Sequence, residues 1–209
     1  MQETRTITQY RQQLRHRIIE TSMREFASNG IKAVKMDDIA QELGISKRTL
    51  YEIYENKEQL LFEVVKYYRE LQEARLQAFI NEGHTVMEII LFAYQRHAEE
   101  FKATSPKFYE EVLKYSTVVN YLEQDRRKNQ HQFVAFMAHG VEEGYFRGDV
   151  NYQLVRMALD AMSDQLRSEL FKSVYDFDEL FINTVFVLLR GFCTEKGIAE
   201  LDQFIKTRK

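Results

Sequence analysis

Turn-forming residues are almost missing from this chain: its 209 residues hold one proline, Pro106, and eight glycines. A β-sandwich or barrel needs such residues at every reversal, so their scarcity favours long helices joined by short corners. Hydrophobic residues make up 44% of the chain and charged residues 29%, enough apolar surface for those helices to bury a core. The expected fold class is all-α.

A single cysteine, Cys193, excludes an intramolecular disulfide and a cysteine-based zinc site, and suits a reducing compartment. Residues 1–17 mix Gln, Thr, Glu and Arg without an apolar run, which argues against a signal peptide or membrane anchor. The most apolar stretch, 180–189, contains Asn183 and stops at Arg190, short of the roughly 20 residues of a spanning helix. The expected location is cytoplasmic.

Apolar periodicity and capping residues predict helices over 8–28, 37–43, 47–54, 57–81, 85–103, 106–116, 121–143, 152–172, 178–196 and 198–206. Asn29-Gly30 ends the first and Gly44 the second. Ser46 caps the third, and Asn56, with Gln59 at the capping-box position, caps the fourth. Ser105 and Pro106 start the sixth. The nearest thing to a domain boundary is Asn56, which divides the chain into 1–56 and 57–209.

The helices 37–43 and 47–54 are joined by Gly44-Ile45-Ser46, and the second has Leu50 and Tyr54 inward with Lys47, Arg48, Tyr51 and Glu52 outward. That is a helix-turn-helix, whose second helix offers its N-terminal side chains to the DNA major groove. Lys47 and Arg48 can donate to guanine O6 and N7. Thr49 can bond a phosphate or meet a thymine methyl, and Tyr51 can bond a phosphate or stack on a sugar. Glu52 can accept from cytosine N4 or, as the simpler reading, hold Arg48 in position one turn away.

Asp38-Ile39-Ala40 to Leu43-Gly44-Ile45-Ser46, then Thr49-Leu50-Tyr51, Tyr54, Asn56-Lys57-Glu58 and Leu60-Leu61 together resemble the DNA-binding domain of the TetR (tetracycline repressor) family of bacterial transcription regulators. The likeness spans about 18–61. Beyond it, the chain is similar in its helical layout, the 144–149 corner and the ending Leu188-Leu189-Arg190-Gly191. The resemblance implies a three-helix DNA-binding head on a larger regulatory domain, and a homodimer formed by the helices 152–172 and 178–196. It places Lys47 and Arg48 where the family reads bases, Thr49 and Tyr51 where it touches backbone or base, and Lys57 where the long helix meets a phosphate. Lys35 joins this DNA-binding set, although many members have Thr or Ser there; Glu52 and Ile53 also depart from the family pattern.

Function in the regulatory half is less sharply written. Val86, Ile90, Ala93, His97 and Phe101 form one helical stripe, so His97 is either a core histidine with one partner or, with Phe101, a polar group in an aromatic-walled ligand pocket. Such a pocket would take a flat or hydrophobic effector. His139 with Glu142 or Glu143 offers two metal ligands without a third, so neither metal nor cofactor is expected. Residues 180–192 are apolar nearly all round and need burial on two sides. The companion helix carries Val155, Leu159, Met162, Leu166 and Leu170 on one stripe and Arg156, Asp160, Asp164 and Arg167 as local ion pairs on another.

Net charge sharpens the assignment. The formal value is -3, yet residues 1–57 hold ten Lys/Arg against eight Asp/Glu, and the remainder nineteen against twenty-four. The acidity belongs to the regulatory half, and the head keeps a basic face. The expectation is a homodimeric regulator, usually a repressor in the family, on a near-palindromic operator, released by a small-molecule effector. The alternative is a DNA-bound adaptor whose C-terminal domain binds a protein. No nucleophile–base pairing or phosphate loop suggests an enzyme.

Overall fold

A computed structural model of the chain describes residues 2–128, 130–171 and 176–207, and the side chains among them outside 2–8, 128, 130, 131 and 163–171. Among the described residues the ordered elements are helices: α1 (Gln2–Asn29), α2 (Met36–Glu42), α3 (Lys47–Ile53), α4 (Lys57–Asn81), α5 (Val86–Ala103), α6 (Pro106–Val112), α7 (Ser116–Lys128), α8 (Gln130–Glu142), α9 (Tyr152–Phe171), α10 (Phe177–Asn183), α11 (Val185–Phe192) and α12 (Glu195–Lys206). No described helix is long and apolar enough to cross a membrane. The chain divides into two compact units, Met1–Ala74 with Ala103–Leu122 and Arg75–Lys102 with Glu123–Lys209.

The first unit is the three-helix head with additions from later in the chain. Ile18 and Phe26 of α1, Ile39 of α2, Leu50 of α3 and Leu60, Leu61 and Val64 of α4 are fully buried together. Burying a leucine such as Leu50 contributes about 2 kcal/mol, which holds the short α3 in place despite its seven residues. Phe108, Val112 and Val118, from α6 and α7, complete the same core. Polar clasps reinforce them: Ser105 N donates to Ala27 O at 2.7 Å, Lys32 N to Glu111 Oε2 at 2.7 Å, and Thr117 Oγ1 to Glu58 Oε1 at 2.8 Å.

The second unit is built around aromatics. Tyr94 is buried and packs on Phe177, Phe181, Phe186 and Phe204, with its hydroxyl donating to Asp178 Oδ1 at 2.5 Å. The 144–149 corner is pinned to the end of α11. Arg147 N donates to Phe192 O at 2.9 Å, Thr194 N to Tyr145 O at 2.9 Å, and Tyr152 Oη to Arg147 O at 2.6 Å. Burial there pushes the Cys193 thiol up to about 11, although Arg190 pulls it the other way.

Several expected boundaries shift. The first helix starts at Gln2 rather than residue 8, the helix from Pro106 stops at Val112, and the 121–143 segment is divided between α7, from Ser116, and α8. The helix expected over 178–196 breaks twice. At Thr184 the dihedrals are displaced from regular helical values (φ -119°, ψ -71°), and Thr184 Oγ1 donates to Leu180 O at 2.5 Å, the local competition that bends helices. At Cys193 the chain turns extended to pair with Phe146, and Thr194 then caps α12 by accepting from Gly197 N.

Helix faces also shift. On α5 the buried stripe is Met87, Leu91, Tyr94 and Ala98, one residue round from the expected one, and His97 is exposed while Phe101 is half-buried. On α9, Val155, Leu159 and Met162 are half-buried, and the exposed stripe is Leu154, Met157, Ala158 and Ala161. The Arg156–Asp160 ion pair forms at 2.9 Å. Leu166, Leu170, Asp164 and Arg167 lie outside the described side chains, and Lys172 outside the described residues.

Candidate DNA-reading site

The corner between α2 and α3 is set by its hydrogen bonds. Gly44 adopts φ +64°, its N–H donates to Gln41 O at 3.1 Å, and Ile45 N donates to Ala40 O at 3.0 Å. This doubly bonded left-handed ending stops α2 where only a residue without Cβ sits unstrained. Ser46 then opens α3, its Oγ accepting from Thr49 N at 3.0 Å. Thr49 Oγ1 lies 2.8 Å from the same oxygen, so the Thr49 hydroxyl is drawn into the cap.

With Leu50 and Tyr54 buried, α3 can present only one face outward. That face carries Lys47, Arg48, Tyr51 and Glu52, all exposed. Lys47 Nζ donates to Asp37 Oδ2 at 2.9 Å and lies 5.8 Å from the Tyr51 ring centre. The Asp37 hydrogen bond, and then its charge, raises the Lys47 ammonium above the ordinary lysine range. Arg48 Nε donates to Glu52 Oε1 at 2.9 Å. The carboxylate at position 52 therefore does hold Arg48, one helical turn away.

The other two cations sit apart from this cluster in sequence and role. Lys35 is exposed at the start of α2, where its backbone N–H donates to Asp38 Oδ2 at 2.8 Å. Lys57 begins α4, just after the Asn56 cap, which accepts from Gln59 N at 2.9 Å; the Gln59 side chain accepts from Glu55 N rather than from Asn56. Lys57 Nζ donates to Lys32 O at 3.3 Å. Partial burial lowers its ammonium below the ordinary range, and the charges of Glu111 and Asp38 oppose that shift.

Asp37 and Glu111 are the residues that sequence reasoning missed. Nothing local signals that Asp37, ten positions before Lys47, is its partner, or that Glu111 accepts from a backbone N–H at residue 32. Elsewhere, His139 is paired with Glu142 at 3.4 Å and Glu143 at 3.3 Å. Among the described residues no group of three potential metal ligands forms.

A capped seven-residue helix with a sealed inner side and a polar, cationic outer side, set behind a glycine corner in an all-helical chain, defines a helix-turn-helix DNA-binding protein. Residues 18–64 match the family described as bacterial regulatory proteins, tetR family. The repressor KstR2 of Mycobacterium tuberculosis is 26% identical over 146 residues, covering 68% of this chain and 73% of its own. The solved ketosteroid regulator KstR2 of that organism superposes with a TM-score of 0.55 at 20% identity, over 87% of this chain and 95% of that one. A transcriptional regulator from Saccharomonospora viridis, solved in complex with choline, gives 0.64 at 19% identity, over 93% and 96%. Residues 18–64 thus form a DNA-binding domain of the TetR family, and the relatives matched over most of the chain are transcriptional regulators. The protein is a DNA-binding regulator and not an enzyme.

Proposed function

We propose that this protein is a homodimeric transcriptional repressor whose two heads read a near-palindromic operator and whose C-terminal domain takes a small-molecule effector that releases the DNA. The observation that carries the reading is the outer face of α3. Lys47 and Arg48 stand exposed at its first turn while Leu50 and Tyr54 anchor its inner side. In this assignment residues 1–56 are the DNA-binding domain and 57–209 the regulatory and dimerisation domain. Arg48 and Lys47 contact bases, Thr49 a thymine methyl, Tyr51 the backbone, and Lys57 and Lys35 phosphates. Thr49 contributes through its methyl group and through the cap it shares with Ser46.

Dimerisation is supported by an apolar face that the single chain leaves bare. Leu154 is 60% exposed, Met157 66% and Val187 61%, on α9 and α11. On α9 the exposed residues recur at helical spacing with small Ala158 and Ala161 between turns, which allows close approach of a second helix. Two-fold symmetry of the protein then requires half-sites about one helical turn, or a multiple of it, apart.

Effector control is supported by relatives and by composition. The solved relatives include one named for ketosteroids and one bound to choline. In this chain Phe101 packs on Phe177 at 5.5 Å, next to the Tyr94 cluster, with His97 one turn earlier on α5. That surround suits a flat or hydrophobic ligand. A difference in effector affinity between bound and free states worth about 1–3 kcal/mol lowers operator occupancy by one or two decades.

Selection from random-sequence DNA, followed by titration of the winner, tests the reading. A symmetric motif is expected. Arg48→Ala should cost about 1–3 kcal/mol at one symmetric base pair, whereas Lys57→Ala should weaken every sequence alike and flatten the salt slope. Failure to enrich a symmetric motif refutes the proposal.

A further inference from the structure

Both cations on the outer face of α3 are held by carboxylates, but the two pairs differ in kind. Lys47 presents a rotating ammonium to Asp37, which leaves the direction of its remaining donors free. Arg48 presents a planar fork. With Nε bonded to Glu52 Oε1, the plane of the guanidinium is set, and the end carrying Nη1 and Nη2 stays open. The Arg48 side chain is 89% exposed, so the protein leaves it largely open to a partner. Two parallel N–H donors are what guanine O6 and N7 accept in the major groove.

The placement of Glu52 points the same way. A face built only to hold phosphates gains nothing from a carboxylate, which repels the duplex whatever its sequence. Glu52 is exposed on that face beside the reading arginine, one turn along α3. Its charge reduces attraction to DNA in general, and its geometry favours one pose of Arg48 in particular.

We propose that Glu52 is the positioning residue that sets base specificity: it holds Arg48 by Nε so that the Nη edge meets a guanine, and it keeps Arg48 from turning to the phosphates. This rests on the reading of Arg48 as a base contact, and the experiment separates the two. The full-length wild type, Arg48→Ala, Glu52→Gln, Glu52→Ala and the double variant Arg48→Ala/Glu52→Ala are titrated by fluorescence anisotropy against the selected operator, against versions with each base pair replaced symmetrically, and against non-operator DNA at several salt concentrations. All substituted side chains are exposed, and unchanged helicity and melting temperature confirm that the variants fold.

Wild type should lose tenfold or more when one symmetric guanine is replaced. Glu52→Gln should keep most of that penalty, because its amide oxygen still accepts from Nε. Glu52→Ala and Arg48→Ala should both reduce it below threefold, and the double variant should match Arg48→Ala. Glu52→Ala should also bind non-operator DNA more tightly, with a salt slope steeper by about one per subunit as Arg48 turns to phosphate. A guanine penalty kept at tenfold by Glu52→Ala but lost in Arg48→Ala overturns the positioning role alone. A penalty kept by both overturns the base-reading assignment beneath it. A Glu52→Ala loss at a base pair where Arg48→Ala has none overturns positioning in favour of direct contact with cytosine.

Discussion

Gly197 sits in the first turn of α12, where helix propensity alone favours alanine by about 1 kcal/mol. The structure reverses that sign. An added Cβ would lie 2.5 Å from Tyr145 O, 3.1 Å from Cys193 Cβ and 3.2 Å from Cys193 Sγ. An ordinary carbon–oxygen contact begins at about 3.3 Å, so the gap must open by about 0.8 Å. Tyr145 O cannot retreat freely, since it accepts from Thr194 N at 2.9 Å and from Thr194 Oγ1 at 3.2 Å. Overpacking costs about 1–3 kcal/mol and a lost hydrogen bond about 1 kcal/mol more. After the propensity gain is subtracted, Gly197→Ala should destabilise by about 1–3 kcal/mol. Gly191→Ala provides the control: it is also helical, its Cβ would meet nothing within 4 Å, and it should gain up to about 1 kcal/mol. Urea denaturation followed by far-ultraviolet circular dichroism measures both. A Gly197→Ala protein as stable as wild type would refute the argument from contact.

Three further substitutions test other parts of the structure. Ser22 is fully buried in α1 with its Oγ unpartnered, so Ser22→Ala should stabilise the head by about 1 kcal/mol, seen as a higher denaturation midpoint with an unchanged slope. Val187→Glu and Met157→Glu each place a charge on the bare apolar face. If the proposed homodimer forms through α9 and α11, either should leave the protein monomeric at micromolar concentration in light scattering, with helicity intact, where wild type is dimeric; a dimer that persists in both would remove α9 and α11 as the interface.

Much of the DNA-reading end was legible because its determinants are local. Ser46, Gly44 and Asn56 act on hydrogen-bonding groups within a few residues of themselves, and the Leu50–Tyr54 spacing settles which way α3 faces. The i, i+4 spacing likewise put Glu52 in reach of Arg48. Periodicity was weaker where two neighbouring stripes were both apolar. On α5 the stripe through His97 and the stripe through Tyr94 fit the same 3.6-residue period, and the choice between them fell to the aromatic cluster that Tyr94 joins and to the hydrogen bond it donates to Asp178.

What the sequence by itself determined is the helical class, the helix-turn-helix and its capping residues, the family, and the location of basic charge on the head. These follow from propensity, spacing and short-range bonds, which the chain carries wherever it goes. Tertiary structure alone decided that Asp37 holds Lys47, that α6 and the start of α7 complete the core of the head, that the 178–196 segment breaks at Cys193 to pair with Phe146, and that Leu154, Met157 and Val187 stay bare. The cause is common to all four. Each depends on groups brought together across long stretches of chain, where geometry and competition among equally apolar faces, rather than local preference, select the partner.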